Sequence, residues 1–275
     1  SLGTIMPDLN VTLVQAHQRW EDKEANLRHY TDLLANLEAT DLVLLPEMFH
    51  TGFSMSAERL ADPVDHSTGI RWLQEQARAL DSAFYTSLMI NDGGRYYNRG
   101  VFVTPDGRVS TYDKRKTFGL AGEDAVYTAG TRETIVSFKG WNIQLQICYD
   151  LRFPENARNR VGANDAAAYD LLLYVANWPA RRSVHWRTLL PARAIEKQCW
   201  VAAVNRVGSD GNGLAYSGNS MFVDALGAIT ECDGEREEVK TLRLSYDALM
   251  HLRRTLPFLK DRDLPNAGDI GHLDV

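Results

Sequence analysis

Short apolar runs with the length of β-strands alternate with amphipathic runs of helical period along most of this chain. For example, four apolar residues follow Asp41 up to Leu45, as expected of a strand that is covered on both faces. The alternation predicts an α/β protein. The predicted strands are residues 10–15, 41–45, 84–90, 96–103, 108–112, 142–147, 171–176, 200–205, 220–224 and 241–244, and the predicted helices are residues 26–37, 70–80 and 185–198. Residues 142–147 alternate apolar and polar side chains, which predicts a half-buried strand.

The overall composition excludes several classes of protein. The 275 residues contain no repeat, low-complexity tract or linker-like stretch, so we expect a single domain over residues 1–275. A net charge of −6 argues against a nucleic-acid partner. No apolar run approaches the ~18 residues that cross a bilayer, and residues 1–4 lack the features of a signal peptide. Cys148, Cys199 and Cys232 form neither a metal motif nor a disulfide framework, so we expect a cytoplasmic protein without membrane partners.

Reactive or polar side chains follow four of the predicted strands. Glu47 follows an apolar run and a proline, whereas Lys114, Cys148 and Asn177 come at or just after the ends of three later strands. Sites in α/β sheets form where the carboxyl ends of strands meet. We therefore expect these four side chains to share one pocket.

Each of these residues also has an ordinary structural interpretation. A cysteine such as Cys148 is often a small buried hydrophobe, while Glu47 and Lys114 could be solvated charges in turns. The polar, turn-like stretch after Cys148 favours a chemical role, because a strand-to-helix turn exposes the side chain and leaves a backbone N–H free for an oxyanion. A thiol is mostly protonated at neutral pH, so it needs a base or a nearby positive charge to act as a nucleophile.

The segments around these residues resemble, in order, the three signature blocks of the nitrilase superfamily of carbon–nitrogen hydrolases. The blocks are Leu45-Pro46-Glu47, Tyr112-Asp113-Lys114 and residues 148–155, and further matching stretches are residues 121–123, 176–179, 192–196 and 205–208. The resemblance covers essentially the whole chain. It is strongest to the bacterial omega-amidase branch, which shares residues 113–115 and 205–213.

This resemblance implies a four-layer α-β-β-α sandwich and a Glu47–Lys114–Cys148 triad. Glu47 is expected to act first as a general base and then as an acid, and Cys148 to form a thioester with the substrate. Lys114 and the backbone N–H of Tyr149 are expected to stabilise the oxyanion. A lysine charge lowers the pKa of a nearby thiol, and a partly buried carboxyl can be tuned toward neutral pH. Glu123 matches a supporting carboxylate held against the lysine, the alternative being a surface charge in a glycine-rich loop.

The resemblance also implies a substrate pocket lined by Asn177, Trp178 and Phe118, although Trp178 is equally interpretable as a core or interface aromatic. Omega-amidases act on short amides with a carboxylate at the far end, such as 2-oxoglutaramate and 2-oxosuccinamate. Such a substrate needs a cationic or backbone N–H anchor. Arg181 and Arg152 are available for this, and Arg152 is more simply explained as the ion-pair partner of a nearby carboxylate.

The precise substrate stays open at this point. Many family members carry His and Leu where this chain has Lys116-Thr117. Another short amide, an N-carbamoyl compound or a nitrile is the first alternative, although nitrilases proper usually show Cys-Trp-Glu in place of Cys148-Tyr149-Asp150. A non-catalytic binding protein on the same fold is the second alternative, and the intact triad argues against it.

Other kinds of site fit the sequence less well. The seven histidines show no metal-binding spacing, so we expect no metal. A protease-like pair of Cys148 with His185 would leave Glu47 and Lys114 unexplained. Residues 208–213 are glycine-rich but lack the lysine of a P-loop, which predicts a hairpin connection. No cofactor is expected, because the chain itself supplies every catalytic group, and the resemblance implies a homodimer or a dimer of dimers.

Overall fold

Two β-sheets form the centre of the protein. The computed structural model describes residues 7–162 and 165–262, so the segment of the signal-peptide prediction, residues 1–4, lies outside the described residues. In the described part of the chain the strands are β1 (Leu9–Gln15), β2 (Leu42–Leu44), β3 (Asp62–Pro63), β4 (Ala83–Asp92), β5 (Arg95–Val103), β6 (Val109–Asp113), β7 (Ile135–Phe138), β8 (Trp141–Ile147), β9 (Leu171–Ala176), β10 (Trp200–Asn205), β11 (Val207–Ser209), β12 (Ala215–Ser217), β13 (Met221–Val223), β14 (Ile229–Glu231) and β15 (Glu238–Leu244). The helices are α1 (Lys23–Leu34), α2 (Ala57–Leu60), α3 (Thr68–Leu80), α4 (Glu123–Val126), α5 (Ser183–Lys197) and α6 (Tyr246–Thr255). None of these described helices has the length and apolar character needed to cross a bilayer.

The strands are ordered so that each sheet has a parallel centre. The first sheet runs β15-β1-β2-β4-β5-β6, with β3 paired to β4, and the second runs β14-β13-β10-β9-β8-β7. In the first sheet β1, β2 and β4 are parallel, and in the second β8, β9 and β10 are parallel. The carboxyl ends of each parallel set therefore share one edge of their sheet, which is where α/β proteins build their sites.

The two sheets pack face to face around a shared apolar core. Val11 and Leu44 from the first sheet lie in the same core as Ile143 and Leu173 from the second. The hydroxyl of Tyr85 donates to the carbonyl of Gln146 at 2.9 Å, which joins the two sheets with a buried hydrogen bond.

Helices cover the outer faces of both sheets. Tyr30 of α1 and Trp72 of α3 pack on the first sheet, and Trp186 and Leu190 of α5 pack on the second. The result is the predicted four-layer α-β-β-α sandwich, which is confirmed.

The helices begin earlier than the apolar pattern predicts. Helix α1 begins three residues before the predicted start because Asp22 accepts a hydrogen bond from the N–H of Ala25 at 3.0 Å. Helix α3 begins two residues early because Ser67 accepts from the N–H of Ile70 at 3.1 Å. Polar capping residues therefore set these starts, and the apolar stripe marks only the buried part of each helix.

Strand β8 is buried on both faces, so the prediction of a half-buried strand is wrong. Its two glutamines, Gln144 and Gln146, are fully buried. Asn156 accounts for this, because its side chain donates to Gln146 Oε1 at 2.7 Å and its carbonyl accepts from Gln144 Nε2 at 3.4 Å. The segment around Asn156 thus covers the polar face of the strand and bonds one side-chain atom of each glutamine.

The glycine-rich residues 208–213 lie in a hairpin, as predicted. Strands β11 and β12 pair antiparallel, from Val207 opposite Ser217 to Ser209 opposite Ala215. The backbone N–H of Val207 donates to the carbonyl of Ala16 at 3.1 Å, which ties the hairpin to the segment that follows β1. We call residues 207–217 the β11–β12 hairpin.

Candidate active site

The four strand-end residues meet at one end of the sandwich, between the two sheets. Glu47 lies just after β2 and Lys114 just after β6 in the first sheet, while Cys148 and Asn177 follow β8 and β9 in the second. All four side chains are buried. The strand-end argument therefore predicted the juxtaposition correctly.

Cys148 occupies a sharp turn between β8 and a 3₁₀ helix, Cys148–Arg152. Its φ of 44° lies in the left-handed region, which a non-glycine residue adopts only where its surroundings enforce it. Asp150 supplies this enforcement, because its carboxylate accepts from the N–H of Ile147 at 2.9 Å and from the hydroxyl of Tyr112 at 2.7 Å. It also accepts from the N–H of Lys116 at 3.0 Å. The turn that presents the thiol is thus braced from three sides.

Two carboxylates hold the ammonium of Lys114. Lys114 Nζ lies 3.0 Å from Glu47 Oε2 and 2.8 Å from Glu123 Oε1. The Asn98 amide donates to both carboxylates, at 2.7 Å to Glu47 and 3.0 Å to Glu123. The N–H of Phe118 completes the network by donating to Glu123 Oε1 at 2.6 Å. Because Glu123 is fully buried, its interpretation as a surface charge is wrong.

Burial and neighbouring charges shift the pKa values of the three central groups. Burial raises the pKa of Glu47, Lys114 opposes this shift, and Glu123 adds to it. For Lys114, burial opposes the charge, but Glu123 and Glu47 outweigh burial and hold the pKa of Lys114 above its ordinary value. Burial and the charge of Glu47 raise the pKa of Cys148 well above its ordinary value, although Lys114 lowers it. Lys114 therefore lowers the pKa of the thiol as expected, but burial and Glu47 outweigh it and the net shift is upward.

The backbone of Asn177 connects the base to the thiol. The N–H of Asn177 donates to Glu47 Oε1 at 3.1 Å, and Cys148 Sγ lies 3.8 Å from the carbonyl of Asn177. The Asn177 side chain also donates to the carbonyl of Glu47 at 2.6 Å. One residue therefore fixes both the carboxylate and the backbone of Glu47 beside the sulfur.

A cavity of about 230 Å³ opens over Cys148. Its lining is Phe53, Met55, Phe118, Leu120, Ala121, Cys148, Tyr149, Arg152, Asn177, Trp178, Pro179, Arg181, Arg182, Asp210, Asn212, Leu214 and Tyr216. Asn177, Trp178 and Phe118, the predicted substrate-binding residues, are all among them. Trp178 both lines the cavity and belongs to the core, because its ring also packs against Trp186 with ring centroids 5.5 Å apart.

Three arginines line this cavity, Arg152, Arg181 and Arg182. Arg152 has its guanidinium 4.7 Å from the centre of the Trp178 ring and donates to His185 Nδ1 at 3.2 Å. Among the described residues it pairs with no carboxylate, so the ion-pair interpretation of Arg152 is wrong. Burial and the charges of Arg181 and Arg152 lower the pKa of Arg182. With one carboxylate, Asp210, against three arginines, the cavity lining carries an excess of positive charge.

Some residues that contact the triad escaped the sequence analysis, Asn98 and Phe53 among them. Asn98 lies in the middle of β5 and bridges Glu47 and Glu123, and nothing in its sequence setting separates it from an ordinary strand residue. Phe53 lies in the loop after Glu47 and places its ring 5.2 Å from Lys114 Nζ. The departure noted at Lys116-Thr117 falls outside the cavity lining, where Lys116 packs over Phe153.

Comparisons with known proteins agree with this geometry. The model of the carbon–nitrogen hydrolase family matches residues 10–252. The omega-amidase YafV of Yersinia enterocolitica is 44% identical over 260 residues, which are 94% of this chain and 98% of that protein. A 2-oxoglutaramate amidase of Paenarthrobacter nicotinovorans is 33% identical over 251 residues, which are 87% of this chain and 84% of that protein. The crystal structure of XC1258 from Xanthomonas campestris, a CN-hydrolase superfamily protein, matches with a TM-score of 0.92 at 43% identity, covering 96% of this chain and 100% of that one. The chain therefore belongs to the carbon–nitrogen hydrolase family.

Proposed function

We propose that this enzyme hydrolyses the terminal amide of a small 2-oxo dicarboxylate monoamide, such as 2-oxoglutaramate, through a thioester on Cys148. The observation that carries the proposal is a single cavity lined by the Cys148 thiol and three arginines, with the Glu47–Lys114 pair buried beside that thiol. A thiol beside a base suits acyl transfer. Among the described residues no carboxylate pairs with these arginines, which suits a substrate that carries a carboxylate away from the scissile bond.

The proposed reaction begins with proton transfer from Cys148 to Glu47 as sulfur bonds to the amide carbon. The carbonyl oxygen takes up negative charge, which Lys114 and the N–H of Tyr149 stabilise. Tyr149 is the second residue of its 3₁₀ helix, where a backbone N–H has no acceptor within the helix. The C=O bond then re-forms, the C–N bond breaks, and ammonia leaves with the proton held by Glu47.

The second half of the reaction releases the acid. Glu47 takes a proton from water as the water oxygen bonds to the thioester carbon. The C–S bond then breaks, and the sulfur regains its proton from Glu47, which returns the enzyme to its starting state. Glu123 has a supporting role in both halves, because it holds Lys114 together with Glu47.

The substrate carboxylate is proposed to bind the arginines of the cavity. Arg152 is the main candidate, because its stacking on Trp178 and its contact with His185 fix the position of its guanidinium. Arg181, which is exposed, is the second. A guanidinium can bind both oxygens of a carboxylate. The names of the relatives, omega-amidase and 2-oxoglutaramate amidase, support this substrate class.

Ammonia release by the purified enzyme tests the proposal. The substrates are 2-oxoglutaramate, a neutral amide of equal length, a nitrile and an N-carbamoyl amino acid, each also tested with Cys148→Ala. We expect the wild type to release ammonia from 2-oxoglutaramate. The release should be lost in Cys148→Ala and kept in Cys232→Ala, the control, because Cys232 lies outside the cavity lining. Turnover of a different compound by the wild type would reject the substrate and retain the mechanism. No turnover, with a Cys148 that iodoacetamide labels no faster than Cys232, would favour a binding protein.

The assembly and compartment are further parts of the proposal. We infer a homodimer that buries the outer face of α5, where Val184 and Ile195 are exposed apolar residues at helical spacing. Light scattering of Val184→Glu tests this, since a monomer is expected if the face is the interface. We also infer the cytoplasm, since Cys148, Cys199 and Cys232 are all free thiols.

A further inference from the structure

The segment between β1 and α1, residues 16–22, touches both walls of the cavity without lining it. On one side lies the loop that runs from Glu47 to Met55, which we call the Glu47 loop. On the other side lies the β11–β12 hairpin. The proposed reaction uses no residue of this segment, so its contacts need a separate explanation.

The segment fixes the backbone of the Glu47 loop. Gln18 Nε2 donates to the carbonyl of Glu47 at 2.9 Å in a buried contact. The N–H of Glu21 donates to the carbonyl of Thr51 at 2.7 Å. At the start of α1, Asn26 Nδ2 donates to the carbonyl of His50 at 3.0 Å. Three carbonyls of one five-residue stretch are thus held from the same side.

Trp20 lies between the two walls. A Cβ placed on Gly52, in the Glu47 loop, would lie 2.9 Å from Trp20 Cε3. A Cβ placed on Gly211, in the hairpin, would lie 2.2 Å from Trp20 Nε1. Real Cβ atoms do not approach other heavy atoms so closely, so both walls contact the indole through bare backbone.

Each of these glycines adjoins the cavity lining. Gly52 precedes Phe53, whose ring faces Lys114, and Gly211 separates Asp210 from Asn212. The indole therefore acts as a spacer, because moving either glycine relative to Trp20 moves lining residues on that wall.

We propose that Trp20 is a positioning residue that sets the separation between the Glu47 loop and the β11–β12 hairpin, and thereby selects substrates by the size of the acyl group. This inference rests on the proposed function for its choice of substrate. Gln18 holds the backbone of Glu47 independently of the indole. Loss of the indole should consequently weaken substrate binding and size discrimination more than it slows the chemical step.

A double-mutant cycle tests the proposal. Gly211 has no left-handed φ, so an alanine there is compatible with the backbone, and all three of its nearest neighbouring atoms belong to Trp20. We expect Gly211→Ala to lower kcat/KM about tenfold in the wild type and to have little further effect in Trp20→Ala, because the colliding indole is gone. Additive effects of the two substitutions would overturn the spacer role.

Steady-state kinetics with amides of increasing acyl length supply the second readout. Trp20→Ala is expected to raise KM for the short substrate about tenfold, to change kcat by less than about threefold, and to favour longer amides. A rise in KM with little change in kcat reports lost binding that the ground state and the transition state share. Trp20→Phe should recover most of the discrimination and also serves where Trp20→Ala folds poorly. Trp200→Phe is the matched control, because Trp200 is partly buried at the start of β10, outside the cavity lining. An equal loss of kcat and kcat/KM in Trp20→Ala, with discrimination unchanged, would reject the proposal.

Alkylation of Cys148 separates this proposal from the proposed function. Its rate with iodoacetamide and with a bulkier maleimide depends on the opening above the thiol and requires no substrate. We expect Trp20→Ala to raise the maleimide rate relative to the iodoacetamide rate, even if none of the tested amides is hydrolysed. An unchanged ratio would contradict the spacer role whatever the substrate is.

Discussion

Replacing Glu123 by glutamine removes one charge from the buried network and leaves its shape almost unchanged. Glu123 accepts hydrogen bonds from Lys114, Phe118 and Asn98 at 2.8, 2.6 and 3.0 Å. The oxygen of a glutamine could keep the first two. Its NH₂ group would then face the NH₂ group of Asn98, which is a contact between two donors.

The size of the effect follows from these contacts. A hydrogen bond between charged groups contributes about 1.5–3 kcal/mol, and a buried donor without an acceptor costs about 1–3 kcal/mol. We therefore expect Glu123→Gln to lower the free energy of unfolding by about 3 kcal/mol. Lys114 keeps its contact with Glu47, so only part of this loss affects the oxyanion. If that part is about 2–3 kcal/mol, kcat/KM falls about 30- to 150-fold.

The pH profile distinguishes a charge effect from a packing defect. Glu47 must be ionised to accept the thiol proton, so activity falls as the pH drops through the pKa of Glu47. The charge of Glu123 raises that pKa, and its removal lowers it. The acid limb of kcat/KM should therefore move to lower pH in Glu123→Gln. Asp124→Asn is the matched control, because Asp124 is an exposed neighbour in the same short helix.

The measurements are kcat/KM for ammonia release across pH and denaturant unfolding of both variants. An acid limb that stays in place or moves to higher pH in Glu123→Gln would refute the electrostatic reasoning. Full activity in Glu123→Gln would show that Glu47 alone positions Lys114.

Three further predictions concern residues around the triad. Phe53→Ala should lower kcat/KM about tenfold, because its ring contacts the Lys114 ammonium and such contacts contribute from about 0.5–1 kcal/mol when exposed to about 2 kcal/mol when desolvated. Phe53→Tyr, which keeps a ring, should retain most of the activity. Asp150→Asn should lower the unfolding free energy by about 2 kcal/mol and slow Cys148 alkylation, because an amide NH₂ would face the N–H of Ile147 or that of Lys116. An unchanged alkylation rate would show that the turn at Cys148 keeps its shape without the Asp150 carboxylate. Burial lowers the pKa of His50 to about 4, whereas a histidine in the unfolded chain has a pKa of about 6.5. Between these pH values the unfolded chain binds more protons than the folded one, so the free energy of unfolding falls as the pH drops. Urea unfolding at pH 7 and at pH 5 should show a smaller loss of stability in His50→Gln than in the wild type.

The family resemblance implied the four-layer fold and the triad, and the local strand pattern indicated separately that these residues lie close together. Apolar runs such as residues 42–45 mark strands covered on two faces, and the residues at their ends must lie at a common edge. Glu47, Lys114 and Cys148 could therefore be placed together before any distance was known. Helix starts were less accurate, because a cap such as Asp22 acts outside the apolar stripe.

The remaining features depend on contacts between distant segments. Asn98 and Glu123 are 25 residues apart in the chain, and only the folded sheet brings them together. Arg152 could be expected to pair with a carboxylate, yet its neighbours in space are Trp178 and His185. Gln144 looked solvent-facing by its alternation, and the segment that covers it comes from after β8. Periodicity records which face of an element is apolar, and it carries no information on what covers the polar face.

The charges around Cys148 explain how a strongly buried thiol can serve as a nucleophile. Glu47 and Glu123 carry two negative charges against the one positive charge of Lys114, so the network has a net charge of −1 before the thiol ionises. A free thiolate would add a second negative charge in a buried site, which is why the pKa of Cys148 is raised. Transfer of the thiol proton to Glu47 keeps the total at −1. The sulfur can therefore gain its charge only as Glu47 loses one, and attack on a bound carbonyl moves that charge to the oxygen that Lys114 is placed to stabilise. Under the proposed mechanism, the nucleophile forms when the substrate is present, and the resting thiol stays protonated.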